Sequence, residues 1–177
     1  MIKVAVIGTH GVGKTTICHE LIGGLKKRDV LAEYLDETAR HARTRGFILN
    51  EETTQDSQRW IFHMQIAREI ATQYGIGNGV LVCDRGLLDN YVYFINKFGR
   101  DEALDLIVNE HMKTYNLLLK VPINPRYANH DPVRAIRDSF KREIDSLLES
   151  ELVERKIPFQ RYESLEKTIE QISKLRK

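Results

Sequence analysis

An α/β domain with a parallel sheet covered on both faces is the fold class this sequence predicts. Three features point there: short β-branched apolar runs of strand length, helical apolar spacing between them, and glycines where one pattern gives way to the other. Parallel strands need crossovers of a dozen or more residues, and helical crossovers bury both faces of the sheet.

Residues 2–7, Ile-Lys-Val-Ala-Val-Ile, form the first expected strand, which stops at Gly8. Over 14–27 apolar residues recur at Ile17, Leu21, Ile22 and Leu25, the spacing of one helix face. Residues 30–35 make the second strand, and the polar, basic stretch 37–45 is a helix or a loop. A long helix covers about 54–74 and ends in Gly75, Gly77 and Gly79. The third strand, 80–83, stops at Asp84-Arg85-Gly86. Helices are expected at about 87–97 and 101–113, parted by Gly99, before a fourth strand over 117–121. Pro122, Pro125 and Pro132 follow, then a charged helix near 133–154, a short fifth strand near 158–162 and a closing helix over 165–174. No repeat or low-complexity linker divides the chain, so one domain spanning 1–177 is expected.

Composition narrows the class further. The chain has 177 residues, 42% hydrophobic and 29% charged, with 11 Gly and 4 Pro, which excludes disorder and collagen-like repeats. Mean hydropathy is −0.38, and no run approaches the ~18 apolar residues of a membrane span. The apolar start is too short for a signal peptide and runs into a glycine loop, so a cytoplasmic globular domain is expected. Lys plus Arg is 27 against 25 for Asp plus Glu, a net charge of +2 that lacks the basic surplus of a general nucleic-acid binder. The two cysteines, Cys18 and Cys83, sit in apolar sequence outside any CxxC and read as reduced core residues.

The chemistry starts at residues 8–15, Gly-Thr-His-Gly-Val-Gly-Lys-Thr, which match GxxxxGK[ST] at every fixed position. A buried strand precedes the motif and an amphipathic helix follows it, the context a phosphate-binding P-loop requires. Backbone N–H groups must converge on phosphate oxygens, which needs glycine at tight positive-φ turns, and the helix N-terminus adds unpaired donors. Gly8, Thr9, His10, Gly11, Val12, Gly13, Lys14, Thr15 and Thr16 are therefore the expected nucleotide-binding residues. Lys14 is placed to bridge the β- and γ-phosphates, and the Thr15 hydroxyl to bind Mg²⁺. Asp84, at the end of the third strand, faces the same sheet edge and is expected to hold Mg²⁺. The alternative for Asp84 is a cap on the next helix.

Other P-loop classes fit poorly. The only near match to the guanine reader Asn-Lys-x-Asp is Asn96-Lys97-Phe98-Gly99, which lacks the aspartate and follows a helix. The length leaves no room for the lid domain and sensors of a ring-forming AAA+ motor, and no transporter-type signature loop is visible. Small-molecule kinases and simple NTPases remain.

Residues 8–16, then Glu37-Thr38-Ala39-Arg40, then Asp84-Arg85-Gly86-Leu87-Leu88-Asp89, resemble the P-loop kinase group that includes the ribosylnicotinamide-kinase domain of bacterial NAD-synthesis proteins. The deoxynucleoside and thymidylate kinases are similar more loosely. The resemblance runs over nearly the whole chain in motif order, including an Asp-x-x-Arg lid start at Asp131 and Arg134. It implies a five-stranded sheet in the order 2-3-1-4-5, a lid over about 122–142, ATP and Mg²⁺ as cofactors, and an acidic residue after the second strand that contacts the acceptor. Glu37 holds that position, with Asp36 next to it as the alternative, and a solvated helix cap as the other role for either acid.

Phosphoryl transfer to an alcohol needs a carboxylate to orient the attacking oxygen. Arg40, His41, Arg43 and Arg45 follow that acid as a basic patch. Arg40 and Arg85 are expected to bind an anionic group on the acceptor, whereas Arg43 and Arg45 read as a solvated helix face. Asp89 either touches the acceptor or interacts with the helix N-terminus. Arg134 and Arg137 share a helix face and are expected to close over ATP, placing charge against the migrating phosphoryl group. Along the long helix Trp60, Met64, Ala67 and Ala71 form one stripe, expected to be core, while Gln65 lies on a polar side facing solvent or cleft.

The functional expectation is phosphoryl transfer from Mg-ATP to a small acceptor, a nucleoside or nucleotide, with no membrane or nucleic-acid partner. Its catalytic residues are Lys14, Glu37, Asp84 and Arg134; Glu37, Arg40, Arg85 and Asp89 bind the acceptor. The alternative is an NTPase that couples ATP or GTP hydrolysis to a macromolecular partner.

Overall fold

The computed structural model describes residues 1–123 and 132–176, with the side chains of Asn50 and of residues 132–138 outside the description. Five strands form one parallel sheet: β1 (Ile2–Ile7), β2 (Ala32–Leu35), β3 (Val80–Asp84), β4 (Leu117–Lys120) and β5 (Gln160–Arg161). Their order is β2-β3-β1-β4-β5, as the family resemblance implies. Between them lie α1 (Lys14–Lys26), α2 (Thr38–Thr44), a 3₁₀ turn at Asn50–Glu52, α3 (Gln55–Ile76), α4 (Leu87–Phe98) and α5 (Glu102–Met112). The helices α6 (Pro132–Glu154) and α7 (Leu165–Leu175) follow β4 and β5.

Strand alternation divides the core in two. Ile2, Val4 and Val6 of β1, with Val80 and Val82 of β3, pack toward Ile17, Leu21 and Leu25 of α1 and Ile169 and Ile172 of α7. Ala5, Ile7, Leu81, Cys83 and Leu118 face the opposite side, against Phe62 of α3, Tyr91 of α4, Val108 of α5 and Leu148 of α6. Both cysteines are buried and free. Lys3 and Lys120, each 1% exposed, occupy two ends of the sheet face that carries α3 to α6.

Several expectations are corrected. The stretch 37–45 holds a helix, the second strand begins at Ala32 instead of residue 30, and the fifth shrinks to two residues. The α3 helix continues through Gly75 to Ile76. The stripe expected to be its core is not: Ala67 and Ala71 are exposed, and Trp60 and Met64 are half-buried. Trp60 stacks on Phe47 with ring centroids 5.1 Å apart. The inward face instead carries Ser57, Gln58, Ile61, Phe62, Gln65, Glu69 and Ile76, so Gln65 faces neither solvent nor cleft. Of the expected lid, residues 124–131, Asp131 among them, lie outside the described residues, and 132–142 begin α6.

Register brings the chemistry to one edge. Val6 pairs with Asp84, Ile7 with Lys120 and Leu35 with Cys83, so the loops after β1, β2 and β3 leave the sheet side by side. β1 lies between β3 and β4, and an open α/β sheet binds its ligands where the connections from neighbouring strands diverge.

Candidate active site

The loop between β1 and α1 turns on Gly8, Gly11 and Gly13, whose φ angles are +139°, +67° and +90°. A Cβ on Gly8 would stand 2.9 Å from the Val121 carbonyl oxygen, so both space and conformation demand glycine there. Lys14, 6% exposed, folds back so that its Nζ donates to the Thr9 carbonyl at 2.6 Å. Burial, and then the nearby Arg85 charge, lower its pKa to about 8.

At the start of α1 the Thr15 hydroxyl donates to Asp84 Oδ2 at 2.6 Å, and the Tyr34 hydroxyl reaches the same oxygen at 3.1 Å. Asp84 is 1% exposed, and the cap position of α4 belongs to Gly86, so its carboxylate does not serve as a helix cap. Mg²⁺ takes hard oxygens, keeps several waters and needs only one or two protein ligands beside phosphates. The Thr15 and Asp84 oxygens, 2.6 Å apart, fit that description. Among the described residues no group of three or more His, Cys, Asp or Glu side chains could hold a metal on its own.

Glu37 occupies the N-cap position of α2 but makes no side-chain cap bond. It accepts instead from Arg85 Nε at 2.5 Å. Burial pushes the Glu37 carboxyl up, but Arg85 outweighs it and holds the group below the usual carboxylate range. Arg85 is 5% exposed and adopts a left-handed φ of +91°, unusual for a side chain of its size. Its backbone N–H donates to the Val6 carbonyl at 3.1 Å, and its guanidinium lies 5.2 Å over the Tyr93 ring. Asp36, the neighbouring acid, is turned to Arg68 and to His41 Nε2, the latter at 2.8 Å. Gln65 links these segments: it accepts from the Thr38 hydroxyl at 2.6 Å and reaches the Arg85 carbonyl at 3.4 Å.

Asp89, expected either to touch the acceptor or to interact with the helix N-terminus, is buried beneath the P-loop. Its two oxygens accept from the Gly8 N–H at 2.8 Å and the Gly86 N–H at 3.0 Å, and it is 2% exposed. It ties the first residue of the P-loop to the first turn of α4, the helix-terminus alternative drawn from its position.

Two clefts flank the loop. One, about 370 Å³, is lined by His10, Glu37, Arg40, Arg43, Gln58, Ile61, Arg85, Asn90 and Tyr93. The other, about 660 Å³, runs past Gly11, Val12, Gly13, Thr16, Val121 and Tyr162. Arg40 reaches Thr15 Oγ1 at 3.4 Å across the mouth of the first cleft. Arg43, read from sequence as a solvated helix position, lines that cleft as well, while exposed Arg45 stacks over Trp60. Arg134 and Arg137 fall in α6, with side chains outside the described residues.

Sequence reasoning missed Lys141, whose Nζ donates to the Gly11 carbonyl at 3.3 Å. It also missed Gln58, Asn90 and Tyr93 on the first cleft. Lys141 carried a usable signal, one basic residue a helical turn beyond Arg137. The others carried none, since only the α3–α4 packing decides which polar positions face the cleft.

A parallel sheet in this order, with a glycine loop, its lysine and a threonine–aspartate pair at the carboxyl edge, defines a P-loop nucleotide-binding domain of the NTPase class. More narrowly, a family model described as an AAA domain matches residues 3–167, and the chain belongs to that family. No curated protein matches it. Among solved structures, a crystal structure of NadR protein in complex with NR is 19% identical with a TM-score of 0.68, covering 92% of this chain and 46% of that one. A crystal structure of NadR protein in complex with NAD and AMP-PNP is 17% identical, also at TM-score 0.68, covering 98% of this chain and 49% of that one. The chain therefore spans about half the length of these neighbours. They lie where the sequence resemblance points, and at these identities the agreement is one of fold. No helix among the described residues is long and apolar enough to cross a membrane.

Proposed function

We propose that this domain transfers the γ-phosphoryl group of Mg-ATP to a small acceptor, a nucleoside or nucleotide. The observation that carries the reading is a pair of clefts on either side of the P-loop, one lined by His10 of the loop and by a carboxylate, Glu37, whose pKa feels the charge of Lys14. A site built only for hydrolysis has no need of a second walled compartment. NadR neighbours crystallised with NR and with NAD and AMP-PNP support small-molecule binding by this fold.

The P-loop N–H groups and Lys14 cradle the β- and γ-phosphates. Thr15 and Asp84 would hold Mg²⁺, which would supply positive charge against those phosphates. Glu37, kept ionised by Arg85, orients the acceptor more than it deprotonates it, because a strong general base needs a pKa nearer the working pH. Arg40 sits at the junction, within reach of both Thr15 and Glu37. The family resemblance assigns closure over ATP to Arg134 and Arg137, which fall in α6 with side chains outside the described residues.

The test is ADP release from Mg-ATP, alone and with separate pools of nucleosides, nicotinamide riboside, nucleoside monophosphates and vitamin alcohols. One pool is expected to raise the rate strongly and yield a phosphorylated product. Lys14→Ala abolishes that rate, and Glu37→Gln, which loosens the orientation of the acceptor, lowers it about 10²-fold while ATP still binds. Steady ADP release unchanged by every pool overturns the transfer reading and leaves the NTPase reading, which the AAA description of the family favours.

A further inference from the structure

The first cleft carries more positive charge than a neutral acceptor would use. Arg40 and Arg43 both line it, and Glu37 is the one carboxylate among its described lining residues. That carboxylate is already taken by Arg85 at 2.5 Å. Arg40 has only long contacts, 3.6 Å to Glu37 Oε2 and 3.4 Å to Thr15 Oγ1, and its side chain is 60% exposed. Arg43 enters no ion pair with another described residue. His10 adds no further charge to the cleft, since burial and then Arg85 lower its pKa to about 4 and leave it neutral.

A second observation comes from the opposite wall. Asn90 lines the same cleft and is 4% exposed, yet its Nδ2 has no hydrogen-bond partner among the described residues. Buried amide N–H groups without partners are rare, and the cleft is where an accepting oxygen can reach this one. A third concerns protons. An alcohol must lose one when it attacks, but the nearest acid is locked to a guanidinium and ill-suited to take it. A phosphate monoester oxygen is already anionic and needs no base.

Resting on the transfer reading above, we propose that the acceptor is a phosphate monoester whose own phosphate oxygen attacks ATP, with Arg40 and Arg43 holding its charge and Asn90 Nδ2 donating to one of its oxygens. The new P–O bond forms between that oxygen and the γ-phosphorus. The bond from the γ-phosphorus to the β–γ bridging oxygen breaks, ADP leaves with the electron pair, and the product is a diphosphate ester. The Glu37–Arg85 pair then sets the wall of the site and keeps the acid from repelling the incoming anion.

The probes are AMP, GMP, UMP, CMP and dTMP, each against its parent nucleoside and against nicotinamide riboside. ADP release gives the rate, and phosphorus NMR tells a phosphoanhydride product from a simple monoester. At least one monophosphate is expected to exceed every neutral or cationic probe by tenfold or more in kcat/KM. Asn90→Leu and Arg43→Gln should each raise KM for that monophosphate about tenfold, with KM for ATP and the circular dichroism spectrum unchanged. A nucleoside or nicotinamide riboside as the better acceptor, or an unmoved KM in both variants, overturns the proposal and leaves phosphoryl transfer standing. If no probe supports turnover, equilibrium dialysis of the same monophosphates with AMP-PNP present separates the two ideas. Binding that both variants weaken keeps the anion site while removing transfer, and no binding removes the site.

Discussion

Lys14 shows how a single buried side chain sets the conditions for ligand binding. Without nucleotide it is wedged under the P-loop, where burial and Arg85 bring its pKa to about 8 from an ordinary 10.5. Phosphate oxygens at the loop favour the charged form, so the bound state holds its proton more tightly than the free state. Below about pH 8 the lysine is already charged and binding takes up no proton at this site. Above it, binding must protonate Lys14, and affinity falls by up to about tenfold per pH unit. Titration with a fluorescent ATP analogue is expected to give a flat affinity from pH 6.5 to 7.5 and a decline beyond 8. Lys14→Met should bind more weakly and lose the decline; a wild-type affinity that stays flat to pH 9.5 would show that Lys14 does not titrate there. The P-loop residues and Asp84 were legible because strand, glycines, lysine and strand-end acid each leave a local mark. The left-handed Arg85 was not, because Asp-Arg-Gly reads as a plain turn until Val6, Gln65 and Glu37 are seen to hold it.

Elements whose stability is local, such as β1, α1 and β3, could be read from apolar pattern alone. The α3 helix could not, because its buried face mixes apolar residues with four polar ones, two of which, Gln65 and Glu69, find partners far along the chain. Glu69, fully buried, accepts from Lys3 Nζ at 2.8 Å, Gln65 Nε2 at 2.8 Å and the Tyr115 hydroxyl at 2.5 Å, and meets His111 Nε2 at 2.8 Å. Apolar periodicity scores such a face as solvent, so the reading turned the helix and put Trp60 and Ala67 inside. A network of this kind makes a specific energetic prediction. Removing one partner strands a buried charge, whereas removing both removes the need for pairing. Glu69→Leu should lower the unfolding free energy by about 3–5 kcal/mol, because Lys3 is left 1% exposed without its carboxylate. The double variant with Lys3→Met should recover a large part of that loss in urea denaturation. A double variant no more stable than Glu69→Leu alone would mean that the Lys3–Glu69 charge pair is not the source of the cost.

Over the whole molecule the buried ionic groups gather at the site edge and on the sheet face that carries α3 to α6, and this ties stability to pH with a definite sign. Burial alone would raise the carboxyl pKa values of Asp36, Glu37 and Glu69, yet Arg68, Arg85 and the His111–Lys3 pair outweigh it and lower all three. Glu149 is lowered first by its hydrogen bond from Lys120, the second buried lysine of that face. In each case the unfolded chain takes up protons before the folded one, so stability is fully present above about pH 4.5 and drains away as pH falls further. His10 acts in the same direction at higher pH: burial, then Arg85, lowers it from 6.5 to about 4, so the unfolded chain binds its proton first across that window. Asp89, raised by burial, works against them. The urea midpoint of the nucleotide-free protein should therefore decline gently from about pH 6.5 and steeply below 4.5. His10→Asn should flatten the gentle part and leave the steep part, because the carboxylate pairs are untouched. If instead the variant and the wild type lose stability in parallel from pH 6.5 to 4.5, the ring beside the P-loop is protonated as easily in the folded protein as in the unfolded chain. The positive charge assigned to the acceptor cleft would then rise through the same interval, and the affinity for a monophosphate probe would rise with it.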